Sequence, residues 1–131
     1  MQKPENMKRQ YLYFILFFMH ISNSFSQVKL YDEKKVTNKT ELNLAFSNFR
    51  GIENNKVVYF IENDNQTLSA YENGKLKWKT NIIKVFGKSE VGESKIRYIK
   101  LTKKVIKVTF GKHSWAEVNL ESGKTKFIGA D

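Results

Sequence analysis

Cysteine is absent from this 131-residue chain, and proline occurs once, at Pro4. Without thiols there is no disulfide framework, no thiolate metal centre and no cysteine nucleophile. Histidine is nearly as scarce, with only His20 and His113. One histidine beyond the first 26 residues, in the turn-like Gly111-Lys112-His113-Ser114, argues against a Ser-His-Asp triad and against a histidine-held metal. Arginine stands only at positions 9, 50 and 97, against twenty lysines. Arginine is the usual reader of phosphates and base edges, so nucleic acid is a disfavoured partner. No apolar run reaches the roughly 20 residues a membrane helix needs.

What is present begins with a leader. Lys3, Lys8 and Arg9 precede the short apolar run Tyr11–Met19, and Ser24 and Ser26 supply a small-x-small end before Gln27. This is the pattern of a cleaved secretory signal over residues 1–26, with Met7 an alternative start. The alternative, an uncleaved anchor, needs a longer apolar stretch. The expected product is therefore exported, to the periplasm or the medium, with no transmembrane anchor after cleavage. Without Lys3, Lys8, Arg9 and Glu5, residues 27–131 carry 20 cations and 12 anions, a net charge of +8. A leader ending in a small residue and Gln, in a Lys/Asn-rich chain, resembles those of exported Bacteroidota-type proteins.

Residues 27–131 read as a single all-β domain. Val, Ile, Thr and aromatics gather in short runs: Glu41–Phe49, Lys56–Glu62, Thr67–Tyr71, Leu76–Ile83, Lys95–Leu101, Val105–Phe110, Trp115–Leu120 and Thr125–Ile128. Asn, Asp, Gly and Lys clusters separate them. About eight short strands in an antiparallel meander are expected, as a sandwich, small barrel or partial propeller. A helix over Asn38–Phe46 is the one competing element, with Leu42, Ala45, Phe46 and Phe49 on one face.

Two units repeat at about 49 residues. Val57–Ile61 leads to Ala70, Gly74-Lys75 and Trp78; Val105–Phe110 leads to Leu120, Gly123-Lys124 and Phe127. Each has a Gly-Lys turn and an aromatic four residues after the glycine. The segment VVYFIENDNQTLSAYENGKLKWKT resembles one blade of the pyrroloquinoline-quinone-type β-propeller repeat, and residues 105–128 resemble it more loosely. In that family the glycine makes the turn and the Trp docks between blades. The resemblance therefore implies structural roles for Ala70, Gly74, Trp78, Gly123 and Phe127, and no quinone ligand maps here. No cofactor is expected.

The basic residues carry the remaining signal. Twelve Lys and Arg lie between Lys75 and Lys112, opposed only by Glu90 and Glu93. Strand alternation would put Lys75, Lys77 and Lys79 on one face and Leu76 and Trp78 on the other. Arg97, Lys103, Lys104 and Lys107 would extend a basic face toward an acidic protein or another anionic envelope component. Solvation of exposed strand edges explains the same lysines without a partner. Trp115, after a polar turn, is the candidate aromatic contact. Glu62, Asp64 and Glu72 are too scattered for a metal site. The expected function is a non-enzymatic binding module with a basic face, monomeric or oligomeric. The alternatives are an inhibitor or immunity-type protein, and an envelope glycan-acting enzyme that would use Glu90 and Glu93 as paired acids.

Overall fold

A computed structural model describes residues 29–87 and 92–131. The expected leader lies outside them, as does Glu90. Ten strands form two five-stranded sheets. They are β1 (Val36–Thr37), β2 (Glu41–Asn43), β3 (Gly51–Asn54), β4 (Val57–Ile61), β5 (Thr67–Glu72), β6 (Lys75–Asn81), β7 (Ile96–Leu101), β8 (Val105–Phe110), β9 (Ser114–Asn119) and β10 (Thr125–Ala130). One short helix, α1 (Ile82–Phe86), links the sheets. The first sheet runs β1-β3-β4-β5-β6 and the second β10-β9-β8-β7-β2. Each is a four-strand meander with one short N-terminal strand added at its edge. The β1–β3 pair is parallel, and the other ladders are antiparallel.

Local chemistry sets the turns. Asn73 and Gly74 both have positive φ (53° and 72°) between Glu72 and Lys75, which face each other across the hairpin. That is the two-residue turn whose twist matches a hairpin. Asn55 and Lys56 do the same between β3 and β4, with φ of 51° and 65°. The expected helix over Asn38–Phe46 does not form. Leu42 is buried as the middle residue of β2, while Asn43 Oδ1 takes the Ala45 N–H and turns the chain away. The helix instead starts at Ile82, where Asn81 Oδ1 caps the Lys84 N–H at 2.9 Å.

The core lies between the sheets. Tyr59, Ile61, Leu68, Ala70 and Trp78 from the first pack with Ile99, Ile106, Val108, Ala116 and Val118 from the second. Residues of β8 and β9 alternate as a half-buried sheet should, and β7 does so past a bulge at its start. Strand β4 is buried at all five positions, because Tyr31 folds over its outer face. The Tyr31 ring lies 5.7 Å from Phe60 and 5.1 Å from Tyr71.

The two repeats share their glycines but not their aromatics. Gly74 and Gly123 have the same φ of 72°. Trp78 is buried, its Nε1 donating to Leu120 O at 2.7 Å, and its indole lies against Gly123. Phe127, expected to occupy the equivalent place, is 47 % exposed. The first repeat turns in two residues, the second in Leu120, Glu121, Ser122 and Gly123, with Asn119 bonded to Lys124. Both aromatics lie on an edge strand opposite a buried alanine, Trp78 across from Ala70 and Phe127 across from Ala116, but the Phe127 ring meets Phe86 of α1 at 5.6 Å.

Candidate functional site

The seven residues expected to share a basic face are distributed over both sheets. Lys75 sits at the β5–β6 turn, and Lys103 and Lys104 at the β7–β8 turn. Lys79 is opposite Ser69 on the outside of the first sheet. Lys107 is on the outside of the second, between Glu117 and Lys100 in a cross-strand row that also takes in Lys126 and Glu41. Simple alternation along β6 fails because of a bulge. Ala70 pairs with Trp78 but Tyr71 pairs with Leu76, which leaves Lys77 unpaired in the ladder. Leu76 therefore shares the outer side with Tyr71. Lys77 reaches Glu121 at 2.9 Å and Glu72 at 3.7 Å, and its hydrogen bond to Glu121 raises its pKa. Lys75, Lys77 and Lys79 do not form one stripe.

Trp115 lies on the outer face of the second sheet, 37 % exposed. It belongs to a row running Gly129, Trp115, Thr109, Tyr98 and Asn43 across the five strands. The Tyr98 phenol is pushed up by burial and by its hydrogen bond to Glu41.

Arg97 belongs to a different arrangement, and it leads to a residue that strand patterning did not single out. Tyr98 pairs with Thr109 and Ile96 with Phe110, so Arg97 is the extra residue of a bulge at the start of β7. Its Nη1 donates to Gly111 O at 3.2 Å and to Lys112 O at 3.4 Å. Arg50, just ahead of β3, is half-buried. Its Nε donates to Ile61 O at 3.1 Å, and Nη2 to Glu62 O at 2.7 Å and Asn65 Oδ1 at 2.6 Å. Both arginines line one cavity of about 340 Å³, with Lys95, Asn65, Leu44, Ala45 and Ile96.

One backbone bond between the sheets and one within the second sheet hold this cavity in shape. Ile96 N–H donates to Asn65 O at 2.7 Å, and Leu44 N–H to Arg97 O at 3.0 Å. Asn65 is left-handed, with φ 59°, which turns its side-chain oxygen to Arg50 while its carbonyl serves β7. Among the described residues, no carboxylate lines the cavity. Asp64, next to Asn65 in the chain, spends its carboxylate on Gln66 and Thr67, and Glu93 holds Lys95 at 2.6 Å, an ion pair that keeps the Glu93 carboxyl below its usual range.

A guanidinium has five N–H donors. Among the described residues, Nη1 of Arg50 and Nε and Nη2 of Arg97 have no acceptor. Two planar forks with free donors, beside an ammonium and against an apolar wall of Leu44 and Ile96, are suited to a carboxylate or a tetrahedral oxyanion. The available signal in the sequence was scarcity: only two arginines follow residue 26, 47 positions apart.

Among the described residues, no three or more His, Asp and Glu side chains converge as metal ligands, and no helix is long and apolar enough to cross a membrane. Comparison of the chain with protein-family models, curated proteins and solved structures gives no match.

Proposed function

We propose that this protein is an exported, non-enzymatic binding module that recognises an anionic group of its partner in the Arg50–Arg97–Lys95 cavity. One observation carries the reading. Both arginines beyond the leader, held on different sheets, line a single cavity that no carboxylate of the described residues lines. Elsewhere lysines are the rule, several of them already matched by Glu121, Glu41 or Glu117. Diffuse lysines steer an acidic partner toward the molecule, and the paired forks give the short-range, geometry-dependent contact.

Titration of the full chain with inorganic phosphate and with acetate, followed by amide chemical shifts, tests this. Shifts should cluster at residues 44–45, 50, 65 and 95–97. Arg97→Gln, an exposed position, should abolish them without lowering the melting temperature. Arg50→Lys should weaken them while keeping the charge, because the fork is lost. Shifts spread evenly over the surface lysines, or unchanged in Arg97→Gln, would refute the site.

A further inference from the structure

The loop that walls this cavity on one side also walls a second one. Residues 44–50 connect β2 to β3, with Leu44, Ala45 and Arg50 facing the arginine cavity. Asn43, Phe46 and Phe49 face a broader groove of about 640 Å³ that Lys34, Lys35 and Lys39 also line. Phe46 is at the tip and is 90 % exposed, the most exposed large apolar side chain among the described residues. The loop is a built one: Asn43 Oδ1 binds Ala45 N–H at 3.1 Å, Asn43 O binds Phe46 N–H at 3.2 Å, and Ser47 Oγ binds Phe49 N–H at 3.0 Å. The only carboxylate lining the groove, Glu41, pairs with Lys100 at 3.4 Å.

We infer that this corner docks on the surface of an anionic phospholipid bilayer. Phe46 enters the headgroup–acyl boundary, Lys34, Lys35 and Lys39 lie among the headgroups, and the arginine cavity takes a lipid phosphate. The inference rests on the anion reading of that cavity. Phe46 decides between a bilayer and an acidic protein. A peptide lying in the groove covers only the groove side of a ring that is 90 % exposed, whereas a bilayer offers apolar depth around the whole ring immediately beneath its layer of phosphates. Lysine suits the flanks, since its long apolar stem lies along the interface with the ammonium among the headgroups.

The test is sedimentation of the full chain with vesicles of phosphatidylcholine alone, or with about a third phosphatidylglycerol. Residues 1–28, with Lys3, Lys8 and Arg9, favour the anionic vesicles by themselves, so the deciding comparisons are those between variants on the same vesicles, where that contribution is equal. Binding to the anionic vesicles should exceed binding to the neutral ones. Phe46→Ala should weaken it about tenfold or more, with phosphate shifts at the arginine cavity unchanged. Because Phe46 is almost fully exposed, this variant keeps its fold. Converting Lys34, Lys35 and Lys39 to Gln should cost on the order of 100-fold. Phosphate binding without vesicle binding would overturn the bilayer inference and leave the anion site standing. Loss of both would overturn both. Phe46-dependent binding to poly-glutamate but not to vesicles would assign the corner to an acidic chain and overturn the bilayer. Equal vesicle binding by Phe46→Ala and the natural chain would do so too.

Discussion

Gly74 and Gly123 offer a matched pair for measuring what holds the two sheets together. Both have φ of 72°, so alanine at either position carries the left-handed penalty of about 1–2 kcal/mol. Their surroundings differ. A Cβ at Gly74 would meet nothing within 4 Å, whereas one at Gly123 would lie 2.7–2.9 Å from Cδ2, Cε3 and Cγ of Trp78. Trp78 has little room to retreat. Its Nε1 is bonded to Leu120 O, its neighbour Thr80 is bonded through Oγ1 to Gly123 O at 2.8 Å, and Tyr59 packs beside the indole at 6.1 Å. Overpacking of this kind costs about 1–3 kcal/mol. Gly123→Ala should therefore be less stable than Gly74→Ala by that amount, roughly 4–8 °C per kcal/mol for a domain of this size. The assay is urea unfolding followed by far-UV circular dichroism, which does not depend on Trp78 fluorescence. Repeating both substitutions in a Trp78→Ala background removes the clash, so the two costs should converge there. Equal costs in the natural background, or an excess that survives Trp78→Ala, would refute the packing argument.

Trp78→Ala alone should cost about 3–5 kcal/mol, seen as a lower urea midpoint with phosphate binding retained below the transition. Burial, with the hydrogen bond to Glu62, pushes the Tyr71 phenol up to about 12. The folded state holds this proton more tightly than the unfolded chain, whose value is about 10. Its contribution is therefore complete below about pH 10 and is lost as pH rises through about 12. Urea midpoints should fall across that window, and Tyr71→Phe should flatten the fall; an unchanged slope would contradict the assignment. Lys56 has φ of 65° in a turn that favours Asn-Gly. Lys56→Gly should raise stability by about 0.5–1 kcal/mol, and a lower melting temperature would count against that turn geometry.

Much of the sheet architecture was legible from the residues. Runs such as Val105–Phe110 alternate, turn residues bracket them, and the glycine repeat at 74 and 123 reappears as one backbone conformation. Part of what was not legible came from a displacement of one residue. A single bulge at Lys77 moves Leu76 to the outside and breaks the lysine stripe, since side-chain period two reverses with every residue inserted. Phe127 stands opposite a buried alanine as Trp78 does, yet its ring packs on Phe86 of α1, a helix that strand patterning did not give. The run Val57–Ile61 is apolar throughout, but which element covers its outer face, Tyr31, was not legible.

The candidate site shows the same division. Composition alone determined an all-β domain without thiol chemistry, poor in histidine and strongly basic, because these properties follow from residue types and their local spacing. Only tertiary structure decided which cations act together. Lys75 and Lys79 are near neighbours in the chain, yet on the folded molecule they contribute charge without a shared cavity. Arg50 and Arg97 are far apart in the chain and meet because one precedes β3 of the first sheet, the other bulges from β7 of the second, and the backbone bond from Ile96 to Asn65 ties those ends together. Charge is a property of composition, but a binding geometry depends on which strand ends the two sheets bring into register.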